Sequence, residues 1–515
     1  MATTTEGVQH RLPKQFLMQP SRLAKLSTSA EAANASVIGI PMLAEGPISA
    51  RLGDIGLPRE RLAAAGFEAK LGETLIVPRA DGPVMVVVGF GARQDLDAAR
   101  IRDGAAAFAL TVHKHDSLAL SLDGLESISP ETAAQAAIEG ILLARYEYPG
   151  FGRDQTLAPL REVTLLIDPA QQASVDAGSE RGRAYARATI LARDLANTPH
   201  SHLTATMLGD LAVRLGKEIG FDVEIFDKQA LEKLGCGGLL GVNAGSVEPP
   251  RMIKITYRPK QESSGRLAFV GKGIMYDSGG ISLKPNDNVH ARMKNDMSGA
   301  AAVLASVAQL PELGCTTTVT AYLMCTDNMP SGTAMALGDI ITTYGGKTVE
   351  VNNTDAEGRL VICDALALAA EEGHDAIVDI ATLTGSVMRA LGTDLAGLFG
   401  NDTTLIDQVQ RAAETTGELV WHLPVHKPYR KVLDSDVAAM RNTGPTGGSQ
   451  PDGIVAAMYL AEFVGSTPWA HIDICGTAWN DKDQLWRRAG CSGFGARLLV
   501  DLAMSFRSPT HQTRH

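Results

Sequence analysis

Residues 266–280 read RLAFVGKGIMYDSGG. An apolar, β-type run breaks into glycines that bracket Lys272 and Asp277. Such a run reads as a buried strand, and the charged, glycine-rich stretch after it lies at the strand's carboxyl end, where open α/β sheets place their ligands. Gly273, Gly279 and Gly280 mark backbone that turns sharply or is approached closely.

Working outward from this stretch, IKITYRP precedes it. A helix from about Gly299 to Leu310, TTTVTAYLMCT, the helical LVICDALALAA and AIVDIATLT follow. Strands rich in Val, Ile and Leu that alternate with helices predict a largely buried parallel or mixed sheet. Nearer the amino terminus, ASVIGIPML, VMVVVGFGA, SLALSL and VTLLID alternate with Ala-rich amphipathic segments, predicting a smaller α/β domain. The helical stretch ending at Pro199 connects the two. The expected organisation is an N-terminal extension over residues 1–30, an α/β domain over 31–180 and a larger α/β catalytic domain with a central mixed sheet over 181–515.

With 47 basic against 58 acidic residues the net charge is -11, a field that repels nucleic acid and anionic membrane surfaces. No segment approaches the roughly eighteen consecutive apolar residues of a membrane span, and the first thirty residues hold no stretch of signal-peptide type. The six cysteines are irregularly spaced without a CxxC pair, and read as reduced core residues of a soluble, cytoplasmic protein.

A second charged cluster, NNTDAEGRL at Asn352–Leu360, precedes the LVICDALALAA helix. Thr354 and Glu357 fit a capping box, which gives no role to Asp355 or Arg359. If this loop meets the one after RLAFV, Asp277, Asp296, Asp355 and Glu357 crowd one site with Lys272, Lys284 and Arg359. Carboxylates so packed raise one another's pKa and require cations among them. Two bridged divalent metals satisfy that requirement, activating water and polarising a carbonyl.

KGIMYDSGGISLKP, MKNDMSGAAAVL, NMPSG and NTDAEGRL, in this order, closely resemble the leucyl (cytosol) aminopeptidase family, peptidase family M17. The likeness runs from about residue 195 to 503, including ATLTGS, WHLP and WAHIDICGTAW, and weakens in the N-terminal domain, for which it implies a macro-like fold. The resemblance implies an enzyme that releases N-terminal, preferably leucine-like, residues from peptides. One metal would be held by Lys272, Asp277, Asp296 and Glu357, the other by Asp277, Asp355 and Glu357. Lys284 would polarise the scissile carbonyl, and Arg359 would hold a bicarbonate acting as general base. Met293, Asn353, Thr382, Leu383 and Gly385 would contact substrate, Leu383 through its carbonyl. The expected cofactors are two divalent ions per subunit, with Mn²⁺, Zn²⁺ or Mg²⁺ all admitted by such ligands. The expected assembly is a homohexamer acting on peptides in the cytoplasm, without membrane or nucleic-acid partners. Departures from the family pattern include Tyr276, Ser278, Asn295, Ser298 and His200, none of which removes a proposed ligand.

Oxygen-rich metal sites alone also admit a Cys-Gly dipeptidase or a phosphoesterase. A DNA-binding regulator is a third reading, since some relatives bind DNA, and the acidic balance opposes it. No HExxH, GxSxG or P-loop offers another catalytic centre.

Overall fold

The computed structural model describes residues 24–31, 35–53, 56–151, 154–444 and 451–509. The N-terminal sheet comprises β1 (Lys25–Ser29), β2 (Val37–Met42), β3 (Thr74–Val77), β4 (Val84–Gly89), β5 (Ser117–Ser121) and β6 (Glu162–Leu166), in the order β1-β6-β5-β2-β4-β3. All neighbours pair in parallel except β3 with β4. The sequence reading places residues 25–29 in the N-terminal extension, whereas they form the edge strand β1. Leu26 packs on the domain core, and Lys25–Ser29 pair in register with Glu162–Leu166. Residues 1–23 of that extension lie outside the described residues.

Helices α1 (Ala98–Thr111) and α2 (Pro130–Ala144) are the two Ala-rich segments expected from the sequence. Asp97 caps α1 by accepting from the Arg100 N–H, and Ser129 caps α2 by accepting from Thr132. Each such cap contributes about 1 kcal/mol. The connecting helix, α3 (Gln172–Asn197), contains the position at which the sequence reading divides the domains. It packs on α2 on one side and on the catalytic domain on the other.

The catalytic domain is built on eight strands in the order β15-β14-β17-β13-β9-β10-β8-β7. These are β7 (Asp222–Phe226), β8 (Arg251–Tyr257), β9 (Arg266–Asp277), β10 (Thr318–Asn328), β13 (Ala376–Ala381), β14 (Ala396–Gly400), β15 (Val420–His422) and β17 (Trp469–Asp473). A small sheet joins β11 (Ile340–Thr342), β12 (Thr348–Glu350) and β16 (Met440–Arg441). The sheet is mixed: β10, β9, β13 and β17 run parallel at its centre, with antiparallel β8 and β14 beside them. Their buried runs are why these strands read as continuous apolar segments in the sequence. Helices α4 (Ser298–Val307) and α5 (Gly358–Glu371) pack against β9, and α4 shares a core with α3 and α6 (Ala496–Ser505). Because four central strands are parallel, their carboxyl ends converge on one edge, bringing together Asp277, Asn328, Ala381 and Asp473.

The domains are joined by a buried ionic cluster. Glu139 on α2 accepts from Arg102 Nε at 2.8 Å, from Arg497 of α6 at 2.7 Å, and through its other oxygen from Gln135 at 2.9 Å. Trp486 lies beside it, its ring centroid 4.6 Å from the Arg497 guanidinium and its indole N–H donating to Asp103 at 2.8 Å. All six cysteines are free, and only Cys475 is partly exposed.

Candidate active site

The site grows from the ends of β9 and β10 and from the loops after β12 and β13. On β9, Lys272 is buried, and its Nζ lies 2.7 Å from Glu357 Oε1 and 2.9 Å from Asp296 Oδ2, and donates to the Thr382 carbonyl at 2.8 Å. At the strand's last position, Asp277 is held on one oxygen by the Gly279 N–H (2.9 Å) and by Asn328 Nδ2 (2.8 Å). Its other oxygen is 2.8 Å from Lys284 Nζ, which also reaches Asp355 at 2.6 Å. Asp296, on the 3₁₀ turn His290–Met297, accepts from the Thr382 hydroxyl at 2.6 Å. Thus the two loops expected to meet are in contact, and the carboxylates and lysines form two ion-paired groups, Lys272 with Asp296 and Glu357 and Lys284 with Asp277 and Asp355. The groups adjoin where oxygens of Asp277, Asp355 and Glu357 approach one another within 4.8 Å.

Two glycines make this approach possible. Gly279 has φ +86°, and a Cβ there would stand 2.5 Å from the Ser282 carbonyl oxygen and 2.9 Å from Asp355 Oδ1. A Cβ on Gly358 would meet Lys272 Nζ at 2.6 Å.

The expected capping box does not form. The Thr354 hydroxyl donates to the Gly279 carbonyl (2.7 Å) and accepts from the Ser282 N–H (2.8 Å), tying the two loops together. Glu357 stands at the N-cap of α5 without a side-chain cap, its carboxylate turned instead toward Lys272. An ionic partner in a buried pocket outcompetes a local backbone N–H as the destination of that carboxylate.

The electrostatics are those of a centre short of positive charge. Four carboxylates face two ammonium groups. Burial, and then the Asp277 charge, push Glu357 above the ordinary carboxylate range, only partly opposed by Lys272. Burial likewise raises Asp296, and Asp355 is pushed up to about 6 by burial and the neighbouring Asp277. Burial draws the Lys272 and Lys284 ammoniums down, but the surrounding carboxylates outweigh it, and both end above the ordinary lysine value. Glu357 Oε1 and Asp296 Oδ2 share the single Lys272 ammonium, and Glu357 Oε2 has no hydrogen-bond or ion-pair partner among the described residues. Buried acceptors left in this state are costly unless a cation completes them. Asp277, Asp355 and Glu357 each offer an oxygen within 4.8 Å of the others. This donor set fits divalent metal ions.

Arg359 is buried on α5, donating through one terminal nitrogen to the Asn442 carbonyl at 2.9 Å while its Nε has no hydrogen-bond partner among the described residues. Asn353 accepts from the Asp355 N–H at 2.9 Å through its side chain. Met293 is half-buried on the turn that carries Asp296, and Leu383 and Gly385 are half-buried on the loop that follows Thr382. His471 is a core residue paired with Asp379, whereas His422 and His426 are exposed.

Three polar residues that organise the site were not singled out from the sequence. Asn328 ties Asp277 to the Thr354 carbonyl. Asn442 donates to the Asn353 carbonyl at 2.7 Å while accepting from Arg359. Asp473 binds the loop after β13. The usable signal for Asp473 was an acid inside the apolar run WAHIDIC; for the two asparagines nothing local distinguished them.

Residues 190–500 match the catalytic domain of the cytosol aminopeptidase family, and residues 56–155 match its N-terminal domain. The chain belongs to the cytosol aminopeptidase family. It is accordingly an aminopeptidase, a metal-dependent hydrolase of two-domain α/β architecture. Family members similar to it include the probable cytosol aminopeptidase of Streptomyces avermitilis, 43% identical over 471 residues, covering 88% of this chain and 89% of that one. That of Synechococcus sp. (strain JA-3-3Ab) is 40% identical over 464 residues, covering 87% and 90%. Among solved structures, the bottromycin maturation enzyme BotP superposes with a TM-score of 0.81 at 36% identity, covering 92% of this chain and 99% of its own. A structure of BotP in complex with Mn matches equally well. No helix among the described residues is long and apolar enough to cross a membrane.

Proposed function

We propose that this family member is a dinuclear, leucyl-type aminopeptidase that removes N-terminal, preferably leucine-like, residues from peptides in the course of intracellular peptide turnover. The observation that carries this reading is Glu357. It is a buried carboxylate with one oxygen against the Lys272 ammonium and the other without a hydrogen-bond or ion-pair partner among the described residues, and it lies within reach of Asp277 and Asp355.

Lys272, Asp277, Asp296, Asp355 and Glu357 would hold two divalent ions, Mn²⁺ being favoured by the likeness to the BotP complex, with Zn²⁺ and Mg²⁺ admitted by the same donors. Such ions supply Lewis-acid polarisation and water activation. Lys284 stays protonated among its carboxylates, and that fixed ammonium stabilises negative charge developing on the scissile carbonyl oxygen. Arg359, whose Nε has no hydrogen-bond partner among the described residues, would hold a bicarbonate, which would supply a general base there. Thr382, Leu383, Gly385, Met293 and Asn353 form the substrate-facing surface, in which the Leu383 carbonyl orients the peptide backbone and an apolar, Met-lined recess takes the first side chain. A homohexamer in the cytoplasm is the proposed working state.

The test is hydrolysis of leucine p-nitroanilide by the chelated protein before and after adding Mn²⁺ or Zn²⁺, with Glu357→Ala in parallel. Metal-restored activity in the wild type, absent in the variant, is expected. Activity indifferent to chelator and to the substitution overturns the reading. Size-exclusion chromatography giving a monomer would overturn the assembly alone.

A further inference from the structure

Asp473 is the last residue of β17 and has no solvent exposure, yet it is not one of the proposed metal ligands. Its Oδ1 accepts from three backbone N–H groups: Cys475 at 3.1 Å, Leu383 at 3.2 Å and Thr384 at 3.4 Å. Its Oδ2 accepts from the Thr384 hydroxyl at 2.7 Å. That hydroxyl in turn accepts from the Val387 N–H at 3.4 Å, capping the short helix Gly385–Leu391. One buried carboxylate therefore fixes both backbone amides and the helix start of the segment Leu383–Val387.

The residue just before this segment, Thr382, serves the ionic centre twice. Its carbonyl accepts from Lys272 at 2.8 Å, and its hydroxyl donates to Asp296 at 2.6 Å. The Leu383 N–H bound to Asp473 and the Leu383 carbonyl lie on either side of the same residue, so the direction of that carbonyl is set by the hydrogen bonds to the N–H groups of Leu383 and Thr384. A charged acceptor bonded to backbone donors is among the stronger hydrogen bonds available. Removing it would leave the Leu383 and Thr384 amides and the Thr384 hydroxyl without their acceptor in a buried place.

We infer that Asp473 is a positioning residue for substrate recognition, holding the Thr382–Gly385 segment so that the Leu383 carbonyl and the adjoining pocket meet the N-terminal residue of the peptide. The inference rests on the substrate-facing role proposed above for that segment. It assigns Asp473 no contact with substrate or metal; its effect passes through the loop. Because the loop is used before and during the chemical step alike, its displacement weakens binding more than turnover.

The experiment uses the full-length, Mn²⁺-loaded protein with leucine p-nitroanilide and alanine p-nitroanilide. Wild type is compared with Asp473→Ala, Asp473→Asn and Thr384→Val, each normalised to folded enzyme by thermal denaturation. Asp473→Ala is expected to lower kcat/KM for the leucine substrate by about 10–100-fold, the range for residues that orient a site from behind, mostly through KM. The alanine substrate, with less side chain to place, should lose less. Asp473→Asn retains a carbonyl oxygen for the three N–H donors, and the Thr384 hydroxyl can reverse its direction, so most of the loss should be recovered. Thr384→Val should show a smaller loss of the same kind. Hydrogen exchange at Leu383 and Thr384 should be faster in Asp473→Ala. Wild-type KM and kcat in that variant, with only a lower melting temperature, would overturn the inference while leaving the proposed function intact. Wild type inactive on both substrates would instead overturn the proposed function, and this inference with it.

Discussion

The protein contains two buried ionic clusters of opposite character. At the domain junction, Glu139 has both oxygens occupied by Arg102, Arg497 and Gln135, and the atom beside it without a hydrogen bond among the described residues is a donor, Arg497 Nη2. At the active site Glu357 Oε2 is without a partner among the described residues, while Glu357 Oε1 and Asp296 Oδ2 share one ammonium, that of Lys272. Burial pushes Glu139 upward, but Arg102 and Arg497 more than reverse it, and its pKa ends below the ordinary range. Glu357 is equally buried and ends above it. Burial alone therefore does not distinguish a structural acid from a functional one. What distinguishes them is whether the chain itself supplies enough positive charge and enough donors, and a shortfall marks where a cation belongs.

Exchanging the two acids is the strongest way to break that comparison. Glu139→Ala leaves buried Arg102 without its acceptor and Arg497 with only Glu418, 3.7 Å away, and should destabilise the protein by about 3–5 kcal/mol in urea denaturation, while the folded fraction keeps its kcat/KM. Glu357→Ala should abolish peptide hydrolysis yet cost the metal-free protein far less stability, because it removes a carboxylate with one oxygen unpartnered and leaves Lys272 paired with Asp296. Equal destabilisation by the two substitutions would refute the distinction.

Lys284 provides the next test. Lys284→Ala should reduce kcat on leucine p-nitroanilide by about 10²–10³-fold, with KM much less affected, as for loss of a single oxyanion-stabilising donor. Asn328→Ala sharpens the comparison from outside the ionic network. It deletes the amide that holds Asp277, and should weaken Mn²⁺ binding by about 10–100-fold in isothermal titration.

The smallest expected effect is a pH dependence of opposite sign at the two clusters. For the metal-free protein, Asp355 has a folded pKa of about 6, raised above its unfolded value by burial and Asp277. The folded state then binds the proton more tightly, so this contribution to stability is present at low pH and is lost as pH rises through about 6. Glu139, whose pKa is depressed, contributes stability that is retained at neutral pH and lost on acidification. Melting temperatures of chelated protein between about pH 5 and pH 7 should show the Asp355 effect. Mn²⁺ should stabilise more strongly at the upper end, where the ligands are deprotonated. A Mn²⁺ effect that is larger at pH 5 would contradict carboxylate ligation.

Several elements were legible in the chain for a physical reason. RLAFVGKGI, TTTVTAYLMCT and AIVDIATLT lie in the middle of the sheet, buried on both faces, so their composition alone marks them. The edge strands β7 and β15 carry mixed or short patterns and were not anticipated, because pairing with a neighbour and not composition makes them strands. The capping box at Thr354 failed for a similar reason, since a local motif was overridden by partners 72 and 75 residues away. Asn442 was invisible because its work consists of hydrogen bonds to residues roughly ninety positions away.

By itself the sequence determined the α/β alternation, the acidic balance and the identities of the carboxylates, lysines and arginine that resemble an aminopeptidase centre, since these depend on composition, order and local spacing. Tertiary structure decided which of those charges share a pocket and which oxygens remain unpaired. It also decided that Asp473 fixes the loop beside them. Parallel strands from distant parts of the chain bring their carboxyl ends to one edge, and no local pattern records which distant donors a buried carboxylate will find there.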